Sequence, residues 1–428
     1  MTYPERVSCQ TVFRPMRCPD AGAGILTRMQ TKNEAYSYPT VTLHPQRLER
    51  IGHPWVFAGE IAHIPDAAYD GDVVRVTDPR GTVLGMAYLN RASKITLRYL
   101  SHHEERIDEG WWYDRLAVAL LRRRQLPETD RTDALRLVNA EADGLPGLIV
   151  DQYAGVLSVQ VLAMGLEPWR ETIVQSLMDL VAPDSIYERS DVGVRELEGL
   201  EERTGLLAGS EPPELVEVRE GQATLLVDVR EGQKTGMFLD QRRNRAAAAA
   251  YARGARVLNC FAYSGAFGVH AGLAGAMQVT NADISGAACA LAERNMARNG
   301  LAGLHTAIEA NCFDLLRSLS DGPDRMDMVI LDPPAFTKSR SAVEGALRGY
   351  KEINLRAMRL LVPGGILVTC SCSQHIDDPT FKAMLLDAAR DARREVRILE
   401  QRGQGPDHPV LLRAPETQYL ICIIAEIE

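Results

Sequence analysis

Arg256-Val-Leu-Asn-Cys-Phe-Ala-Tyr-Ser-Gly-Ala-Phe-Gly268 reads as a strand that feeds into a helix. The strand is predicted over Arg256–Ala262, and Gly265 opens a predicted helix over Gly265–Ala274. The rhythm repeats toward the C-terminus. Further strands are expected at Met277–Ile284, Thr306–Ala310, Met326–Leu331 and Gly365–Cys370, with helices at Gly286–Asn299 and Gly349–Leu361. Strands alternating with helices form βαβ units, which join parallel strands by right-handed crossovers. Glu395–Glu400 and Gln418–Ile427 are expected to close the chain as an antiparallel pair. The fold class of this half is therefore α/β and Rossmann-like.

Such sheets bind ligands outside the carboxyl ends of their strands. Four strand ends carry distinctive residues. The turn after Arg256–Ala262 lacks G-x-G-x-x-G, so no dinucleotide fingerprint is present. Gly265 still permits close approach of a ligand carboxylate to a helix N-terminus. Asp283 ends the next strand, where it either accepts ribose hydroxyls or simply caps the following helix. Leu331-Asp-Pro-Pro-Ala-Phe336 follows another strand, and its two prolines hold an extended backbone that presents Asp332. Ile366-Leu-Val-Thr-Cys-Ser-Cys-Ser-Gln-His375 begins as a buried strand and ends in two thiols. Side chains alternate along a strand, so Cys370 and Cys372 share one face and Ser371 and Ser373 the other. Either thiol is a core residue or a nucleophile on this stretch alone.

Upstream, Val41 to Leu100 reads as short strands with turns, including Asp78-Pro-Arg-Gly81, in a small β-barrel-like unit. Arg91, Lys94 and Arg98 form its most basic cluster, either a solvated strand face or a phosphate-contacting edge. A helix at Trp111–Arg124 ends in Arg122-Arg123-Arg124, where cations complement the helix dipole. Strands at Leu135–Asn139, Leu148–Gln152, Val156–Leu162, Ser185–Glu188 and Leu215–Val229, with a helix at Glu167–Leu180, make an α+β middle unit without evident chemistry. Residues 1–38 lack periodicity and read as a poorly ordered extension, with Met29 an alternative start.

A chain of 428 residues exceeds one core. Its net charge of -9 argues against a broad nucleic-acid surface while leaving room for a local basic groove. The 8 cysteines have no metal-ligand spacing, so no metal is expected. No apolar run reaches the length of a membrane span, and the N-terminus lacks an apolar signal region, which together suggest a cytoplasmic protein.

Taken in order, the strand ends describe an S-adenosylmethionine site beside a nucleobase pocket. Val257-Leu-Asn-Cys-Phe-Ala-Tyr-Ser-Gly265, Leu331-Asp-Pro-Pro-Ala-Phe336, Gly349-Tyr-Lys-Glu-Ile-Asn354 and Thr369-Cys-Ser-Cys-Ser373 resemble bacterial ribosomal RNA cytosine-5 methyltransferases of the ribosomal large subunit methyltransferase I family. Gly236-Met-Phe-Leu-Asp-Gln-Arg-Arg-Asn244, Asp407-His-Pro409 and His53-Pro-Trp-Val-Phe57 match as well. The resemblance covers the chain from about residue 40 onward. It implies a class I methyltransferase domain at 221–428, an N-terminal β-rich PUA domain at 39–108 that binds RNA, and an α+β middle domain at 109–220.

It also implies roles. Cys372 is the nucleophile, and Asp332 is expected to hydrogen-bond the exocyclic amine and stabilise a protonated ring nitrogen. Asn259, Phe261, Tyr263, Ser264, Gly265, Asp283, Asn311, Asp332, Gln241 and Arg242 are expected to hold S-adenosylmethionine. Pro333, Pro334, Phe336, Lys351, Arg91 and Lys94 are expected to meet the substrate, large-subunit ribosomal RNA. Two departures matter. Ala335 stands where many RNA cytosine-5 methyltransferases have a second cysteine, so the base that takes the carbon 5 proton is unassigned. Asn311 stands where an acidic residue often meets adenine. The alternative is an RNA guanine or exocyclic-amine methyltransferase that uses Asp332-Pro-Pro without a thiol. Oligomeric state is open, a homodimer included.

Overall fold

The computed structural model describes residues 37–45, 50, 52–337 and 340–428. The expected extension over 1–38, apart from Ser37 and Tyr38, lies outside the described residues, as does Met29. The first sheet comprises β1 (Thr40–Leu43), β2 (Trp55–Phe57), β3 (Ile61–His63), β4 (Val73–Thr77), β5 (Val83–Leu89) and β6 (Ile95–Ser101). Its order is β2-β6-β5-β4-β1-β3. The β4–β5 turn forms because Asp78 Oδ1 accepts the backbone N–H of Arg80 and of Thr82, both at 2.8 Å. The expected basic cluster is not one patch. Arg98 is buried against Glu141 and Glu198, at 3.0 and 2.8 Å.

The second unit starts with α1 (Glu109–Arg124), whose N-cap Asp108 accepts Trp111 N–H at 3.0 Å. β7 (Ala134–Asn139), β8 (Leu148–Tyr153) and β9 (Val156–Val161) come next in the chain, then α2 (Arg170–Val181), β10 (Ser185–Ser190) and β11 (Arg203–Gly209). The sheet order is β11-β10-β9-β8-β7. Trp112, Leu116 and Leu120 of α1 pack into its core. The Arg122–Arg124 run is more than a dipole complement. Arg123 is 2% exposed, makes a two-pronged ion pair with Asp143 at 2.6 Å and also donates to Asp407 O.

Leu215–Val229 is not one strand. It folds as a hairpin of β12 (Val216–Glu220) and β13 (Ala223–Val227), turning at Gly221 with φ +63°. A division at 220/221 therefore falls inside a hairpin. The hairpin belongs with the C-terminal unit, because Leu226 and Thr224 donate to Asn295 and Asn299 at 2.7 and 2.9 Å. Buried Glu220 also binds Arg245 and His270.

The C-terminal unit runs α3 (Arg242–Ala249), β14 (Arg256–Cys260), α4 (Ala266–Leu273), β15 (Gln278–Asp283), α5 (Gly286–Arg298) and β16 (His305–Glu309). It continues with α6 (Cys312–Asp321), β17 (Met326–Leu331), α7 (Val343–Leu360), β18 (Leu361–Ser371), α8 (Asp378–Ala392), β19 (Val396–Arg402) and β20 (Ile421–Ile427). Two helices that the sequence pattern did not reveal, α6 and α8, complete the alternation. The sheet order is β16-β15-β14-β17-β18-β20-β19, parallel through β18 and antiparallel at β20 and β19. Val257, Met328 and Val368 pack on one face beneath α4 and α5, while Leu258, Val329 and Leu367 pack on the other against α7 and α8. The central strands are buried on both faces, so they read as largely apolar runs. The order in which strands are added reverses between the parallel neighbours β14 and β17, which opens a crevice at their carboxyl ends.

The loop between β19 and β20 crosses all three units. Asp407 pairs with Arg242 at 2.9 Å and accepts Arg136 N–H, and Glu416 reaches buried His53 at 3.2 Å. Trp55 Nε1 donates to Glu141 at 2.8 Å. His53-Pro-Trp55 therefore lies on an inter-domain seam. Among the described residues no helix is long and apolar enough to cross a membrane.

Candidate functional site

A cavity of about 310 Å³ lies at the switch point. That size is within the range of small-molecule sites. Gln241, Phe261, Tyr263, Ser264, Asp283, Asn311, Asp332, Pro333, Pro334, Phe336 and Cys372 all line it. These eleven expected site residues come from the ends of different strands, together with the turn before α3.

The turn after β14 is held in an unusual backbone. Phe261, Tyr263 and Gly265 have φ of +59°, +45° and +70°. Side chains at such angles cost about 1–3 kcal/mol each and persist only where the surroundings fix them. The fixing contacts are present. Tyr263 N–H donates to Asp283 Oδ2 at 2.9 Å, and Tyr263 OH donates to Gly236 O at 2.9 Å. Asp283 Oδ1 accepts Ser285 N–H at 3.0 Å. Each carboxylate oxygen keeps lone-pair capacity for a diol. Phe313 packs between Phe261 and Phe336, with ring centroids 6.2 and 5.6 Å away. An acidic group beside aromatic walls suits an adenosine moiety, so the residues present fit S-adenosylmethionine.

At the other end, Cys372 follows β18 and is half-buried, with Sγ 3.9 Å from Pro333 O. Burial pushes its thiol up to about 11, with Lys234 opposing the rise and the Asp332 and Asp240 carboxylates adding to it. Cys370 is fully buried and faces Cys422 across the β18–β20 register. Ser371 and Ser373 both bond Tyr350 OH, at 3.1 and 3.0 Å, as their shared face requires. Asp332 Oδ1 accepts Gln241 Nε2 at 2.8 Å. Burial first, then the Asp240 charge, raises the Asp332 carboxyl to about 7 against the Gln241 hydrogen bond.

Six expected residues lie elsewhere, and a seventh acts differently. Asn259 is 1% exposed and donates to Asn281 within the sheet. Gly265 does not line the cavity; a Cβ there would meet Ala292 Cβ at 2.7 Å, so it lets α4 approach α5. Arg242 faces Asp407 and Ala134 O. Lys351 pairs with Asp391 of α8 at 2.8 Å. Arg91 and Lys94 lie in the β5–β6 connection of the first unit, where Arg91 is paired with Asp70 at 3.1 Å. Asn311 does line the cavity, but its carbonyl caps α6 through Phe313 N–H at 2.9 Å.

Residues missed in the sequence also line the cavity, Lys234 and Asp240 foremost. Lys234 has φ +55° and lies 4.5 Å over the Phe238 ring. Its loop is pinned by the middle unit. Thr235 donates to Asp151 at 2.6 Å, Met237 N–H donates to Tyr153 OH at 3.1 Å, and Arg189 donates to Gly232 O at 2.7 Å. The unit without evident chemistry thus positions a cation beside the thiol. The sequence signals were the turn residues around Gly236 and, for Asp240, its place within Gly236–Asn244. Lys234→Met is expected to raise the Cys372 thiol further and slow its alkylation by iodoacetamide at pH 8.5 by about threefold. Mass spectrometry of the Cys372 peptide reads this, and equal rates would remove Lys234 from the account.

Comparison with known proteins agrees with this geometry. A family described as S-adenosylmethionine-dependent methyltransferase matches residues 201–421, and a PUA-like domain matches residues 41–102. A ribosomal RNA large subunit methyltransferase I from Aeromonas hydrophila is 43% identical over 371 residues, covering 86% of this chain and 94% of that protein. One from Shewanella denitrificans is 42% identical over 396 residues, covering 90% and 99%. Among solved structures, a methyltransferase complexed with S-adenosylhomocysteine superposes with a TM-score of 0.78 at 21% identity, over 91% of this chain and 100% of that one. A methyltransferase from Streptococcus mutans gives 0.77 at 22%, over 90% and 100%. These two show a shared fold.

Proposed function

Because the chain belongs to the ribosomal RNA large subunit methyltransferase I family of S-adenosylmethionine-dependent methyltransferases, we propose that it methylates carbon 5 of a cytosine in large-subunit ribosomal RNA through a covalent cysteine–cytosine bond. The observation that carries this reading is a half-buried thiol, Cys372, sharing one cavity with the protonatable Asp332. When bound, S-adenosylmethionine supplies a methyl group on a positively charged sulfur. Asp283, Phe261 and Phe313 would hold its adenosine part. The PUA-like sheet would engage the RNA, in the cytoplasm.

Carbon 5 of cytosine is a poor nucleophile. The Cys372 thiolate adds to carbon 6, forming an S–C bond. The 5,6 electron pair moves toward the ring nitrogen N3, which takes a proton from Asp332. The base is then enamine-like, and carbon 5 can accept a methyl. A base removes the carbon 5 proton, the 5,6 double bond re-forms, the thiolate departs and the N3 proton returns to Asp332. Forming the thiolate is the difficult part, since the thiol stands at about 11. The Lys234 cation lowers that barrier. The target nucleotide must leave its stack to reach Cys372.

Large-subunit RNA from a strain lacking the gene, incubated with the protein and S-adenosylmethionine, is expected to gain 5-methylcytidine at one mapped position. Mass spectrometry of the digested nucleosides checks this. A methylated guanosine or N4-methylcytidine instead would overturn the carbon 5 reading in favour of amine methylation.

A further inference from the structure

The mechanism leaves one edge atom of the base without a protein partner. Cytosine offers two groups beside each other, the acceptor N3 and the amine donor at carbon 4. Asp332 serves N3, but its Oδ1 already accepts Gln241 Nε2. An amine held there would share Oδ1 with Gln241.

A second carboxylate shares the cavity. Asp240 sits on the single turn Leu239–Gln241 and is 4% exposed. Its Oδ2 accepts Tyr419 OH at 2.8 Å and lies 3.5 Å from Lys234 Nζ. Its Oδ1 is buried and has no hydrogen-bond partner among the described residues. An orphaned buried acceptor costs about 1–3 kcal/mol, more when charged, so it marks a place where a ligand completes the bonding.

Position selects which ligand. Tyr419 and Leu420 lead into β20, and Ser371 pairs with Ile421 in the β18–β20 register. Cys372 and Leu420 are the next residues outward on the two strands, and both line the cavity. Asp240, tied to Tyr419, therefore shares the cavity with the thiol, and Asp283 is engaged there by its Tyr263 and Ser285 contacts. We propose that Asp240 Oδ1 accepts the exocyclic amine of the target cytosine, so that Asp240 and Asp332 together read its donor and acceptor and reject uracil. This rests on the carbon 5 reading above.

The charge states suit the division. Burial alone would raise Asp240, yet Lys234, His408 and the Tyr419 hydroxyl hold it well below the usual carboxylate range. It stays an ionised acceptor, whereas Asp332 at about 7 can donate. Uracil inverts both groups, presenting O4 to a carboxylate and N3–H to a proton donor, and both contacts become repulsive.

The test uses the full chain and RNA spanning the mapped site, with 5-fluorocytosine or 5-fluorouracil at the target position. Wild type is expected to form an adduct with the first only. Asp240→Asn replaces an acceptor with a group that can also donate to O4. It is expected to lower the preference for fluorocytosine about a hundredfold or more, with S-adenosylmethionine affinity by calorimetry within about threefold. Should Asp240→Asn not fold, Asp240→Glu keeps the charge and is expected to slow the reaction while retaining the preference. A wild-type adduct with an unchanged preference in Asp240→Asn overturns this proposal alone. So does a loss of cofactor affinity, which would assign Asp240 to the cofactor's ammonium. No wild-type adduct with either RNA overturns the carbon 5 reading and this proposal with it.

Discussion

Cys372→Ala is expected to lose methyl transfer by at least about 10⁴-fold, because no other group in the cavity can add to carbon 6. Cys312, the other thiol that lines the cavity, is buried and lies near Phe261 N–H and Ala282 O. Cys370, on β18 opposite Cys422 of β20, is fully buried. Neither can substitute. S-adenosylmethionine affinity is expected to survive, since the Asp283 end of the cavity is untouched. The substitution removes a half-buried sulfur, so stability should change little. Calorimetry and single-turnover methylation on the same preparation separate the two effects. Turnover within tenfold of wild type would exclude thiol catalysis.

Asp332→Asn is the second large effect, and its signature is a change in pH dependence. On the carbon 5 reading, the active form needs Cys372 ionised and Asp332 protonated. Below about pH 7 the carboxyl is protonated, and the thiolate fraction rises tenfold per unit. Above about 7 the gain in thiolate is cancelled by loss of the acid, so the single-turnover rate levels off until the thiol itself titrates. Asparagine cannot donate a proton to N3. The variant is expected to be slower by about 10²–10⁴-fold at pH 7, with a rate that keeps rising above it. Stability should move the opposite way. The folded value of about 7 lies above the ordinary 3.8, so the folded state loses stability relative to the unfolded chain as pH rises from 3.8 through 7. Removing the ionisable group is expected to stabilise the fold at pH 8 by about 2 kcal/mol, discounted for water in the cavity. An unfolding titration at pH 5 and pH 8 checks the sign. A variant profile that levels off like wild type would show that Asp332 is not the acid.

The central strands of the C-terminal sheet were legible because they are largely apolar with both faces buried, and Met326–Leu331 matches to the residue. Helix α8 was missed although its N-cap Asp377 and Pro379 are regular start signals. The hairpin was hidden because Val216–Glu220 and Ala223–Val227 both alternate, and a two-residue turn at Gly221 interrupts the pattern little. Within the site, residues at strand ends could be read from motif order, since the topology places those ends together. Asn259, Arg242 and Lys351 failed because sequence does not show which way a side chain points from an otherwise correct motif. Lys234 and Asp240 failed for another reason. Their place in the cavity depends on Thr235, Tyr153 and Tyr419, contacts across 84 to 179 residues of chain that no local pattern encodes.

The most direct measurement is the covalent adduct itself. RNA carrying 5-fluorocytosine at the target position, incubated with the wild-type protein and S-adenosylmethionine, cannot lose fluorine from carbon 5 and so blocks the last step. Protease digestion and mass spectrometry are predicted to find the methylated nucleotide bonded to the peptide containing Cys372. Release of a methylated base with no adduct, or an adduct on any other cysteine, would contradict the account.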